Sequence, residues 1–224
     1  MRVDRRSFLG AAAVNAAALA SLPLDLFAGA PSDLLSADSG DDWDLSWPGR
    51  LTGKYKAVFD NTEPDSAHGL WRASAWAEQY REVLKAPPAD VTPVIILRHR
   101  AIVLAMQNSF WSKYRIGGSK KITHPVTGRP LATNPALLDE KDGIPAPWDN
   151  AGLRKQLDRG VVVLACNLAL QDCIDLIKTT EKIDEAEARK RAIAYLVPGV
   201  ILQPSGVFAA TRAQEAGASY VKAS

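Results

Sequence analysis

The feature that most constrains the fold of this chain is the apolar run Val161–Leu164, which Cys166 and Asn167 follow almost at once. Four consecutive apolar residues, three of them β-branched, are typical of a strand covered on both faces, as in a parallel sheet. A helical pattern comes next, so Cys166 and Asn167 are expected at the carboxyl end of the strand. Open α/β sheets bind ligands outside that end of their strands. The sequence therefore predicts an α/β fold with a candidate site at this edge.

Short apolar stretches alternate with helical patterns through the rest of the chain. We predict strands at 55–59, 91–97, 161–165, 200–202 and 218–222, and helices at 69–84, 101–115, 151–158, 168–178, 184–195 and 207–216. Asn150 and Ser205 are expected to cap two of these helices. The alternation favours a three-layer α/β/α sandwich around a five-stranded, mainly parallel sheet.

Three parts of the chain are expected to lie outside this regular pattern. Residues 1–30 carry Arg-Arg-Ser-Phe-Leu at positions 5–9 and then an alanine-rich run, which resembles a twin-arginine export signal. Cleavage is expected after Ala20 or Ala30, releasing a periplasmic or otherwise exported protein with no membrane anchor. Residues 31–53 are predicted to be a linker or arm, and residues 54–224 a single domain. Within that domain, residues 116–148 form an insertion that covers the sheet edge or serves assembly.

Composition argues against several classes of function. A hydrophobic content of 47% and a charged content of 23% fit an ordinary globular domain. A formal net charge of +2 lacks the basic bias of a nucleic-acid binder.

If Cys166 and Cys173 share one helix, they are separated by about 10 Å, which is too far for a disulfide. His68, His99 and His124 have no metal-ligand spacing, so neither a metal nor a cofactor is expected.

Several chemically competent residues end or closely follow predicted strands and are expected to share one crevice. They are Asp60, Arg98, His99, Cys166, Asn167 and Ser205. Cys166 is the candidate nucleophile, since a helix N-terminus favours a thiolate, and His99 is its candidate base. The other four are candidate ligand-binding groups. Simpler structural roles stay open: Cys166 as a core residue, His99 bonded to backbone, and Asn167 and Ser205 as helix caps.

The second half of the chain resembles the DsrE/DsrF-like family. The resemblance rests on the segment VVVLACNLAL at 161–170 and on the pattern PxGVxxxxxxQxxGxxY, formed here by Pro204, Gly206, Val207, Gln214, Gly217 and Tyr220. It covers residues 150–224, is weaker over 54–115 and is absent elsewhere. It implies a five-stranded parallel sheet, oligomers, and in some members a cysteine that carries sulfur as a persulfide, a position that Cys166 matches. The insertion and the export signal depart from the sulfur-relay members.

Two functions follow as alternatives. In the first, an exported protein handles sulfur or reacts through the thiol of Cys166, with a sulfur donor or acceptor protein as its partner. In the second, a non-catalytic protein binds a small ligand at the sheet edge or assembles as a homo-oligomer. A Cys166 thiol that reagents can reach favours the first function, and a thiol that resists alkylation favours the second.

Overall fold

A computed structural model describes residues 43–224 of the chain. The expected export signal, both expected cleavage positions and most of the arm therefore lie outside the described residues. Five strands form one sheet: β1 Tyr55–Asn61, β2 Val91–Leu97, β3 Val162–Cys166, β4 Ile201–Gln203 and β5 Ser219–Lys222. Their spatial order is β4-β3-β2-β1-β5, and every neighbouring pair is parallel. The predicted fold class is confirmed.

The helices of the described segment connect these strands. They are α1 His68–Val83, α2 Asn108–Lys113, α3 Ile116–Ser119, α4 Leu153–Asp158, α5 Asn167–Glu181, α6 Glu185–Ala194 and α7 Gly206–Glu215. Short 3-10 turns occupy 47–50, 65–67, 88–90, 99–105, 135–137, 140–142 and 148–151. Between residues 43 and 224, no helix is both long enough and apolar enough to cross a bilayer.

The two faces of the sheet are covered by different layers. Phe59, Ile95 and Val163 pack in a large cluster with α1, α5, α6 and the segment 99–106. The residue just before each of these three packs on the opposite face of the sheet, with α7 and the segment 47–51. This alternation is the two-residue period of a strand. Because β3 is buried on both faces, its sequence is a continuous apolar run.

The predicted helix at 101–115 is wrong in its first half. Residues 99–105 form a 3-10 turn, and α2 begins only at Asn108. The cause lies far away in the sequence: Met106 adopts an extended backbone and forms an antiparallel bridge with Leu196. An extended residue cannot continue a helix, so the apolar pattern at 101–106 reflects burial rather than helical period.

The two predicted caps have different outcomes. Ser205 caps α7, since its Oγ accepts the N–H of Phe208 at 3.0 Å. Asn150 does not cap a helix, because it lies inside the separate turn 148–151. The N-cap of α4 is Gly152, one residue before Leu153.

The segment before β1 packs against the sheet. Trp47 is fully buried, and its indole Nε1 donates to Oε1 of Gln203 at 2.9 Å. The amide of Gln203 in turn donates to the backbone oxygen of Asp44 at 2.9 Å. Trp47 therefore anchors residues 44–51 beside the edge strand β4.

The insertion 116–148 is packed on the domain. Asn134 is fully buried, and its Nδ2 donates to the backbone oxygens of Leu104 at 2.8 Å and Met106 at 2.7 Å. Ile122 and Ile144 are also buried. These contacts place the insertion over the segment that follows β2, close to the carboxyl edge of the sheet.

Glu181, at the end of α5, joins three elements and makes the stability of the fold pH-dependent. Its carboxylate contacts Nζ of Lys113 at 2.6 Å, the hydroxyl of Tyr114 and the guanidinium of Arg191. These partners, Lys113 foremost, lower the pKa of Glu181 to about 2. The stabilisation is therefore complete above the ordinary pKa of 4.5 and is lost as the pH falls toward about 2.

We expect Glu181→Gln to remove this dependence. Urea unfolding should show the wild type as the more stable protein near neutral pH. The difference should shrink between pH 4.5 and about 2, because protonated Glu181 then resembles glutamine. Glu215→Gln is the matched control, since Glu215 forms an exposed pair with Arg212. A difference that stays constant over this range would contradict the interpretation.

Candidate functional site

Cys166 lies at the carboxyl end of β3, opposite Gln203 at the end of β4. Its Sγ accepts the N–H of Ala169 at 3.4 Å and so caps α5. The chain leaves β3 through α5 on one face of the sheet and leaves β4 through α7 on the other. Neighbouring strands that diverge in this way form a topological switch point, where α/β folds bind ligands. Cys166 is 5% exposed, so little of its surface is open to solvent.

Asn167 and Ser205 lie at the same edge, each with a structural partner. Oδ1 of Asn167 accepts a hydrogen bond from Arg189 at 2.9 Å, which ties the start of α5 to α6. Ser205 is committed to the first turn of α7. Both residues therefore lie next to strand ends, as expected. Their hydrogen bonds hold the first turns of α5 and α7 in place at this edge of the sheet.

Asp60 and Arg98 form a partly buried ion pair at the carboxyl ends of β1 and β2. Nε and Nη2 of Arg98 donate to the two carboxylate oxygens of Asp60 at 2.7 Å each, and the hydroxyl of Tyr220 donates to Oδ2 at 2.6 Å. Asp60 is 1% exposed. The hydrogen bond to Asp60 raises the pKa of both Arg98 and Tyr220. Both carboxylate oxygens accept hydrogen bonds from within the protein. The carboxylate of Asp60 therefore joins β1, β2 and β5 and has a structural role rather than the expected ligand-binding role.

Gly206 makes the path of Arg98 possible. A Cβ at Gly206 would lie 2.4 Å from Cδ and 2.7 Å from Cβ of Arg98. The arginine stem therefore crosses directly over the first residue of α7 on its way to Asp60. This close approach is a physical reason for a glycine at that position.

His99 lies apart from the cysteine. Its side chain is 65% exposed, and Nδ1 lies 3.4 Å from Oε1 of Glu63, whose other oxygen lies 3.2 Å from Nη1 of Arg100. Over residues 43–224 no hydrogen bond or ion pair joins His99 to Cys166. The structure thus gives His99 a carboxylate partner in place of the expected thiol.

The neighbours of His99 border a cleft that sequence reasoning missed. It has a volume of about 350 Å³ and lies beyond the carboxyl ends of β1, β2 and β5. We call it the β1–β2 cleft; its lining residues include 63–66, Arg100, 120–122 and Ser224. Three cations, Arg100, Lys120 and Lys121, line it together with two acids. Lys120 and Lys121 belong to the insertion, whose position no local pattern predicts.

The backbone around the β1–β2 cleft is strained. Asp65, Ser66 and Ala67 have φ of 38°, 47° and 67°, and His99 and Lys121 have φ of 52° and 54°. Left-handed conformations cost non-glycine residues about 1–2 kcal/mol each. Such strain is concentrated at binding and catalytic sites, which makes the cleft a second candidate site.

The remaining histidines and the second cysteine have separate surroundings. Nδ1 of His68 contacts the backbone oxygen of Asp65, and Nε2 of His124 contacts that of Asp142. In the described part of the chain, no group of three or more His, Cys, Asp or Glu side chains could hold a metal ion. Cys173 is buried, and burial raises its pKa to about 12. Both cysteines are free.

No family model, no curated protein and no solved structure matches the chain.

Proposed function

We propose that this protein is an exported, DsrE/DsrF-like protein that handles sulfur through the thiol of Cys166. One observation carries the proposal: Cys166 lies at the switch point between β3 and β4, and its sulfur accepts an N–H from the first turn of α5. The partial positive charge of a helix N-terminus there faces the sulfur. The family resemblance points to the same residue.

The proposed reaction is a sulfur transfer that needs no oxidant. The Cys166 thiolate attacks the terminal sulfur of a donor persulfide. A bond forms between Sγ and that sulfur, the S–S bond of the donor breaks, and the donor leaves as a thiolate. Cys166 then carries a persulfide that an acceptor thiol can remove in the same way. Because the residue is only 5% exposed, we expect a small donor to reach it more readily than a folded protein.

We expect the full chain to gain the mass of one sulfur atom on Cys166 when it is incubated with glutathione persulfide. Peptide mapping after the intact-mass measurement locates the added sulfur. Cys173 should react at least about tenfold more slowly in the native protein, since burial raises its pKa to about 12 and it lies inside α5 rather than at the helix N-terminus. In urea, both cysteines should react alike.

Cys166→Ser is the matched variant for this experiment. Serine is a good N-cap, so the fold should keep its stability to within about 1 kcal/mol while the thiol is lost. Cys173→Ser should still take up sulfur. A native protein in which neither thiol gains sulfur, or only Cys173 does, would exclude the proposal. The same mass measurement on protein from its native compartment tests export, because it reports where the N-terminus has been cut.

The β1–β2 cleft supports a second candidate function, the binding of a small anion at the sheet edge without catalysis. Its supporting observation is the set of three cations around strained backbone. Titration with sulfate and phosphate should show binding in the wild type, and Lys120→Gln with Lys121→Gln should weaken it about tenfold. Assembly as a homo-oligomer also remains a prediction from the resemblance, and light scattering measures it directly.

A further inference from the structure

Two adjoining cavities open at the amino-terminal edge of the sheet, opposite the edge that carries Cys166. The larger, of about 630 Å³, lies between α1 and residues 147–150, at the start of the turn 148–151. The smaller, of about 250 Å³, reaches the starts of β2 and β3. Ser74, Arg81 and Arg159 line both, so they form one site, here called the amino-edge cavity. Its volume falls in the range of small-molecule sites.

Two guanidinium groups line the amino-edge cavity. Nη2 of Arg81 donates to Glu78 at 2.5 Å, but Nε of Arg81 is buried with no hydrogen-bond partner. Nη2 of Arg159 donates to the backbone oxygen of Asn150 at 2.7 Å. Burial, and then the positive charge of Arg81, lower the pKa of Arg159. Two neighbouring like charges that line one cavity are relieved by an oxyanion, which guanidinium groups bind well.

A flat aromatic surface lies beside these cations. Trp148 lines the cavity with Pro147 and is 40% exposed. Its ring is stacked on Trp71, with 5.6 Å between the ring centroids and an interplanar angle of 20°. This contact holds the indole in place as a rigid platform for a ring.

The acids of the cavity restrict the charge of the ligand. Glu78 already pairs with Arg81, and Glu82 also lines the site. Two carboxylates would repel a multiply charged phosphate but tolerate a single negative charge. We propose that the amino-edge cavity binds a small aromatic monocarboxylate, whose carboxylate accepts hydrogen bonds from Arg81 and Arg159 and whose ring packs on Trp148. This site is independent of the chemistry of Cys166.

Calorimetric titration of the full chain with 2-naphthoate tests the proposal. We expect measurable binding of 2-naphthoate and at least about tenfold weaker binding of 2-naphthamide, which keeps the ring but lacks the charge. Acetate, which lacks the ring, should also bind at least about tenfold more weakly. Equal binding of 2-naphthoate and 2-naphthamide would show an apolar site only and overturn the proposal, as would the absence of any 2-naphthoate binding.

Variants locate the binding. Arg159→Gln and Arg81→Gln should each weaken 2-naphthoate binding at least about tenfold. Arg212→Gln is the matched control, because Arg212 forms a similar exposed pair with Glu215 on α7, away from the cavity. Urea unfolding of each variant confirms that it is folded. If Arg159→Gln and Arg81→Gln both fold and bind as the wild type does, the assignment of this cavity is wrong.

Discussion

Replacing Asp60 with alanine is expected to destabilise the fold by about 3 kcal/mol, the lower end of the range for breaking a buried ion pair. The carboxylate is 1% exposed and accepts hydrogen bonds from Arg98 and Tyr220. Its loss leaves the guanidinium of Arg98 without its carboxylate partner. The lower end applies because the Arg98 side chain is 30% exposed, so water offsets part of the loss.

Urea unfolding measures this effect without the screening that guanidinium chloride would add. Tyr220→Phe removes a single hydrogen bond to Asp60 and should cost about 1 kcal/mol. Glu215→Ala breaks an exposed ion pair with Arg212 and should change stability by less than about 1 kcal/mol. If Asp60→Ala were no more destabilising than Glu215→Ala, the pair would not hold β1, β2 and β5 together.

Alanine substitutions at two adjacent glycines of α3 should have different effects on the stability of the protein. A Cβ at Gly117 would lie 1.9 Å from the backbone oxygen of Leu131. That oxygen cannot move without displacing the backbone around Leu131. Gly117→Ala should therefore destabilise the protein by about 1–3 kcal/mol. A Cβ at Gly118 meets nothing within 4 Å. Gly118→Ala should leave stability unchanged or raise it by up to about 1 kcal/mol, because alanine reduces the entropy of the unfolded chain.

The damage from Gly117→Ala should be local. The N–H of Ile122 donates to the oxygen of Gly117, and the N–H of Leu131 donates to Ile122. Hydrogen exchange at these two amides should accelerate in Gly117→Ala and not in Gly118→Ala. Equal exchange in both variants would show that Ile122 and Leu131 do not pack against α3.

Much of the architecture was predictable because each strand is marked by its own residues. The run Val161–Leu164 is apolar throughout since β3 is buried on both faces, and Ser205 is a cap whose partner is only three residues away. The helix at 101–115 failed for the opposite reason. Residues 101–106 are apolar because they are buried, and the bridge between Met106 and Leu196 imposes an extended backbone at the end of that run.

The candidate site was only partly predictable. Cys166, Asn167, Ser205, Asp60 and Arg98 do lie at the carboxyl ends of strands, because the position of a strand end follows from local sequence. Their partners do not follow from it. The hydroxyl that reaches Asp60 comes from a tyrosine 160 residues away, and His99 contacts Glu63 rather than the thiol.

By itself, the sequence determined the order of the five strands, the burial of β3 on both faces and the ends of the strands to within two residues. Hydrogen bonding and hydrophobic period act over a few residues, so they leave a local pattern. Only the tertiary structure decided which of those ends meet, how far the thiol is enclosed, and where Arg81, Arg159 and Trp148 form a cavity. Those outcomes depend on how distant segments pack, and packing joins atoms whose separation along the chain leaves no local pattern.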